Sequence, residues 1–341
     1  MGLDPILGRL NAGTQVIRPP EWLPESATAS ILPRSCIFLL QEAAFGPRGE
    51  VRIMNTIASV RLFSLSVMTI VLTAVAAEHS PAAPPADRVL LAPHRAIYDL
   101  KLAKSHGSRG IEAIRGRILY DFSGNSCEGF ELKFRQVSEI DSGEGKAALS
   151  DLRSTTWEDG DAKKFRFSSE NLFNERSTDV VDGQAERNAQ AVAVRLSKPK
   201  QKNFTVPLGA VFPTEHMRRI IAAAREGKSV LEFPVYDGSE TGDKLYNTLT
   251  VIGHSIAPGE KTPTDAGAKT LANLTRWPVT ISYFDKLGEK AEQGGEQTPV
   301  YSIGFELYEN GVSRALVLAY PDFTINGDMT SLEMKAEKPC P

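Results

Sequence analysis

Few residues in this chain stand at spacings that could do chemistry, and each such group has a plainer reading. Glu158, Asp159 and Asp161 follow directly on Trp157. A pair of carboxylates is what glycoside cleavage needs, one as acid and one as nucleophile or base. Asp159-Gly160-Asp161 between two strand-like segments is, however, the ordinary composition of a solvated turn. Ser197-Lys198-Pro199-Lys200 spells the S-x-x-K pattern of penicillin-interacting serine enzymes. That pattern needs a helix N-terminus, which Pro199 in a charged loop denies. Gly124-Asn125-Ser126-Cys127-Glu128-Gly129 stands one residue off a G-x-S-x-G elbow, and its cysteine is better employed in a disulfide. His216 and His254 each lack a second histidine at ligand spacing, so neither reads as a metal ligand. Trp157 and Trp277 read as core aromatics rather than a ligand platform. The residues therefore predict a non-enzyme with no cofactor and no metal. The enzymatic alternative they leave is a hydrolase of peptidoglycan or glycan working through Glu158, Asp159 and Asp161; a purely structural role with no small ligand is a further reading.

Export is the clearest signal. Met54 is followed by Arg61, then by an apolar run from Leu62 to Val75, then by Ala74-Val75-Ala76. Basic segment, short apolar run and small-residue triplet in that order predict a signal peptide over 54–77, cleaved near Ala76/Ala77. The run is shorter than the roughly 20 residues of a membrane helix and is interrupted by Ser64, Ser66 and Thr69. Residues 1–53 are rich in Pro, Gly and Ala with no sustained period, and read as a disordered product of a mis-set translation start. The exported part then carries 33 Lys+Arg against 37 Asp+Glu. That balance excludes the basic stripe of a nucleic-acid binder and polybasic attachment to anionic lipid. The expected location is the periplasm, peripheral to the envelope rather than spanning a membrane. Cys127 and Cys340 are the two cysteines of the exported part, and in an oxidising compartment they are expected to pair.

The elements that must position these residues are mostly strands. Residues 78–93 form a Pro/Ala-rich leader, expected extended and poorly ordered. From 94 to 341 a single domain is expected. Ala96, Tyr98, Leu100 and Leu102 alternate with mostly polar neighbours, the period-2 mark of a half-buried strand. Similar segments occur at 111–122, 130–137, 147–157, 163–169, 190–196, 245–253, 271–284, 299–308, 312–320 and 329–336. Turn signals separate them: Asp159-Gly160, Asp182-Gly183, Asp237-Gly238 and Asn310-Gly311, the last with type I′ chemistry. Segments 257–269 and 286–298 read as long surface loops. One segment breaks the pattern. Thr214 is placed to N-cap a helix closed by Gly227, with Met217, Ile220, Ile221 and Ala224 on one face. The fold class is therefore mainly β: a large antiparallel sheet curled into a spiral or open barrel, with one amphipathic helix packed against it. Such a sheet can enclose an apolar cavity, with the helix face as its plug.

Several segments, taken in order, resemble the cell-envelope integrity protein EipB family, exported alphaproteobacterial proteins long described as a domain of unknown function. They are His94-Arg95-Ala96-Ile97-Tyr98-Asp99-Leu100, Ser126-Cys127-Glu128-Gly129-Phe130 and Ser154-Thr155-Thr156-Trp157-Glu158-Asp159-Gly160. Phe212-Pro213-Thr214-Glu215-His216, Tyr236-Asp237-Gly238-Ser239-Glu240 and Phe305-Glu306-Leu307-Tyr308-Glu309-Asn310-Gly311-Val312 follow. The resemblance spans about 94 to 340 and includes both cysteines. It implies a periplasmic β-spiral with a helix against its interior and a Cys127–Cys340 disulfide. It also implies a non-catalytic envelope-integrity role, alongside a periplasmic protein of tetratricopeptide repeats. The resemblance brings no catalytic residues. Independently of it, the export signal, the β pattern and the absence of a catalytic site point to a binding or scaffold module that grips a protein partner or an apolar ligand such as a lipid or acyl chain.

Overall fold

The structure, a computed structural model, describes residues 89–106, 111–143, 147–261, 263–285, 298–338 and 340. The signal peptide expected at 54–77, the segment 1–53, most of the leader and nearly all of the loop at 286–298 lie outside them.

Two antiparallel meanders make one sheet of fourteen strands. The first runs through β1 (His94–Ser105), β2 (Ala113–Asn125), β3 (Gly129–Asp141), β4 (Ala147–Glu158), β5 (Lys164–Phe173), β6 (Arg176–Arg187), β7 (Ala191–Lys198) and β8 (Lys202–Pro207). The helix α1 (Pro213–Arg225) follows. The second meander is β9 (Val230–Val235), β10 (Tyr246–Ile252), β11 (Arg276–Asp285), β12 (Tyr301–Tyr308), β13 (Ser313–Ala319) and β14 (Phe323–Met334). β14 returns to pair with β1, so the spatial order runs from β8 inward to β1, across to β14, and outward to β9. Strand pairing does not close the sheet, but the sheet winds round. Val211, just beyond β8, bridges Val235 of β9. The Val211 N–H donates to the Pro234 carbonyl at 2.8 Å, and the Tyr236 N–H donates to the Val211 carbonyl at 3.0 Å.

Alternation dictates which face is buried, because successive side chains leave a strand on opposite sides. Ala96, Tyr98 and Leu100 are buried while Arg95 is exposed. Phe130, Leu132, Phe134 and Gln136 repeat the habit on β3. Two apolar clusters result. The larger lies under β1–β3 and β11–β14 and takes in Ile220 and Ile221 of α1. The smaller gathers Phe165, Phe167, Phe212 and Tyr236, where β5–β8 meet the chain leaving β9.

The expected strands are present, with corrections. Strand β11 begins at Arg276, residues 271–274 being turn, and β14 begins at Phe323. Strands β6, β8 and β9 carry too little alternation to have been read. Asp182-Gly183 is not a turn but lies within β6, where a Cβ on Gly183 would meet the Phe167 ring at 2.6 Å. Asn310-Gly311 does form a hairpin, though in its three-residue form rather than type I′. The Gly311 N–H donates to Tyr308 O at 2.9 Å, the Tyr308 N–H donates to Val312 O at 2.9 Å, and Gly311 has φ +87°. The last leader residues are also packed rather than loose: Val89 and Leu91 are buried, and the Ala92 N–H donates to Asn310 O.

Candidate functional site

Between α1 and the concave face of the sheet lies a cavity of about 110 Å³. Its floor comes from β1–β4, its far wall from β11–β13, and its roof from the first two turns of α1. Met217 and Ile220 of the expected helix face line it. Ile221 and Ala224 are buried beside it in the larger core. A second cavity of about 60 Å³ shares Leu132, Phe134, Thr156 and Pro213 with the first, so the two adjoin. Among the described residues, no charged side chain lines the larger cavity.

The roof is fixed at both ends. Thr214 is not the N-cap. Phe212 holds that position with no side-chain bond, and Pro213 opens the helix at its first turn, where a missing N–H costs nothing. The orphan donors are met from another element: Glu158, at the end of β4, accepts from the N–H groups of Thr214 and Glu215, each at 2.8 Å. Burial pushes the Glu158 carboxyl up, to about 8, with the two N–H bonds and Arg218 pulling the other way. Glu215 is clamped by Arg187 at 2.7 Å and Arg219 at 2.6 Å, and Arg218 donates to the Gly160 carbonyl at 2.9 Å. At the C-terminus Gly227 has φ +74°; its N–H donates to Ala224 O, and the Lys228 N–H donates to Ala223 O. This is the Schellman pattern.

The residues singled out for chemistry are dispersed by these arrangements. Glu158 is a helix cap. Asp159 accepts from the N–H groups of Lys163 (2.6 Å) and Lys164 (3.0 Å), which makes it the turn residue its sequence suggested. Asp161 sits on the surface with Lys163 at 3.1 Å. Ser197 is the next-to-last residue of β7, on a strand and not a helix, and its hydroxyl donates to Asp182. Cys127, in the turn between β2 and β3, is bonded to Cys340. His254 is exposed past the end of β10. Trp277 is core, but Trp157 is half-buried with the Arg166 guanidinium 4.6 Å over its ring. Among the described residues, no three His, Cys, Asp or Glu side chains gather to hold a metal, and no helix is long and apolar enough to cross a membrane.

Two buried histidines line the cavity, along with Thr156, Asn310, Ser313 and three tyrosines. His94, at the start of β1, is 2% exposed, and His216, in the first turn of α1, is 4% exposed. Burial lowers the pKa of both, that of His216 to about 3. The strand alternation is the sequence signal that places His94, which has the same parity as Ala96 and Tyr98 and so faces inward with them.

Comparison with known proteins agrees with this architecture. The sequence profile of the EipB-like family matches residues 85–336. The cell envelope integrity protein EipB of Brucella abortus (strain 2308) is 37% identical over 257 residues, covering 74% of this chain and 88% of that protein. A crystal structure from Brucella abortus, described as a β-barrel-like protein of the domain of unknown function DUF1849, superposes with a TM-score of 0.67 at 34% identity. It covers 73% of this chain and all of that one.

Proposed function

This chain belongs to the EipB-like family, and from that premise we propose that it is a non-catalytic periplasmic protein that maintains cell-envelope integrity by gripping an apolar group. The role comes from the name of the Brucella relative. The periplasmic location comes from the signal sequence at 54–77. The grip comes from one observation, an uncharged apolar cavity roofed by a helix that is tied down at both ends. An engineered cavity of about 150 Å³ lined by Leu, Ile and Phe takes up benzene. At about 110 Å³ this cavity suits a ring or the end of an acyl chain, not a whole lipid. A periplasmic protein of tetratricopeptide repeats is the proposed protein partner, with the cavity ligand as the group it would help to deliver or display. The hydrolase reading loses its best-placed carboxylate, since both Glu158 oxygens are engaged by α1.

The test is the native mass of the protein recovered from the periplasm, with organic extraction of anything bound, repeated for Ile303→Trp. Ile303 is a half-buried cavity residue on β12. The expected result is an extractable mass on the unsubstituted protein, lost in the variant together with resistance to envelope stress. A bare protein, with full envelope function in Ile303→Trp, would overturn the cavity reading and leave the protein partner as the functional contact.

A further inference from the structure

The cavity is apolar, but its two histidines give it chemistry. Nδ1 of His94 lies 2.8 Å from the carbonyl oxygen of Ala92. A carbonyl only accepts, so Nδ1 carries the proton. In the neutral ring, which burial favours, Nε2 is then a lone-pair acceptor. That Nε2 is buried and has no partner among the described residues. Nε2 of His216 is buried without a partner as well, and it belongs to the opposite, helical wall. Leaving such an atom unmet carries a desolvation penalty. A ligand that brings a donor to it therefore gains more than apolar contact.

The surroundings decide the charge of that ligand. A phosphate or carboxylate head needs a counter-charge in so dry a site, and among the described residues no charged side chain lines this cavity. The natural anion position nearby is the N-terminus of α1. It is already filled by Glu158, which uses the N–H groups of Thr214 and Glu215. Arg187 and Arg219 pair with Glu215. Arg218 bonds the Gly160 carbonyl and keeps a buried Nε without a partner, but it is not among the residues that line the cavity. An anionic head would meet a mostly apolar wall and no counter-charge.

We propose that the cavity is a site for an uncharged amphiphile, a ring-sized or short-chain apolar body bearing a hydroxyl or amide N–H that donates to Nε2 of His94. This rests on the cavity reading above and adds the head-group class to it. A rival occupant of the polar corner is a bound water, which needs two to four polar partners.

The experiment uses the exported full chain with ¹⁵N-labelled histidine and three probes: 1-pentanol, pentane and pentanoate at pH 8. Affinities are read from the methyl resonances of Met217 and Ile220. The expected outcome is that pentanol binds about tenfold tighter than pentane, the worth of one hydrogen bond. Pentanol, but not pentane, should also move the Nε2 resonance of His94. The preference should vanish in His94→Leu, and if that variant is unstable, the ¹⁵N readout on the unsubstituted protein decides. Equal binding of pentane and pentanol with no ¹⁵N shift would overturn the His94 site, water being the occupant, and leave the cavity reading intact. Tightest binding by pentanoate would overturn the uncharged head. No methyl shift with any probe would remove both the cavity reading and this one.

Discussion

At the level of single residues, the same atoms that looked catalytic turn out to position α1. Glu158 was legible as a carboxylate of interest, but its partner was not, because the N–H groups it caps lie more than fifty residues away and a sequence shows only local spacing. Truncating it strands two buried donors. Glu158→Ala should therefore cost about 2–4 kcal/mol in urea unfolding, whereas Asp161→Ala on the surface should stay within about 0.5 kcal/mol. A catalytic pair would give the reverse: folding intact in both, and hydrolysis lost in both. His216 adds a pH dependence. Its pKa is near 6.5 when unfolded and about 3 when folded, because burial favours the neutral ring. The unfolded chain thus binds the extra proton first. Stability from this group is full above about 6.5 and is lost as pH falls toward 3, by a few kcal/mol. Comparing the stability–pH curve with that of His216→Gln isolates it from Glu158, which slopes the other way. Parallel curves would show that His216 does not titrate with folding.

Elements differ in how well they announce themselves. Helix α1 was readable because its apolar residues recur at helical spacing and Gly227 stops it, and the Schellman bonds at its end show why that glycine matters. The start was misread by one signal competing with another. Thr214 is a good capping residue, but Pro213 before it fits the first helical position better. Strand β6 was missed for a different reason. Only Val181 and Ala185 of its twelve residues are fully buried, and Gly183 serves close packing on Phe167 rather than chain reversal. The cap at Gly227 yields a clean prediction, since a Cβ there would touch nothing within 4 Å. Any cost of Gly227→Ala then comes from the backbone at φ +74° alone, about 1 kcal/mol. A variant as stable as the parent would mean that the helix ends earlier in solution.

Across the whole molecule, the two ends of the described chain meet in the middle of the sheet. β1 pairs with β14 along its length, His94 opposite Met334 and Ser105 opposite Phe323. Lys335 donates its N–H to Pro93 O, and Asn125 donates to the Lys338 carbonyl. The disulfide is therefore one of several ties at that seam, and the one that persists when the chain unfolds. It spans 213 residues, a closure the chain-entropy model values at about 5 kcal/mol, mostly through the unfolded state. A folded-state staple and an unfolded-state constraint make different predictions. If the constraint dominates, Cys340→Ser should lower the urea midpoint and also raise the m-value, because the freed unfolded chain exposes more surface. The folded variant should keep its β-sheet circular dichroism and its cavity binding, since β1–β14 pairing remains. If instead the midpoint falls, m is unchanged and cavity binding is lost, then the bridge acts by holding the seam, and the cavity depends on a crosslink at its edge. The first outcome is expected, because the cavity lining includes neither Cys127 nor Cys340, nor any residue past Leu318.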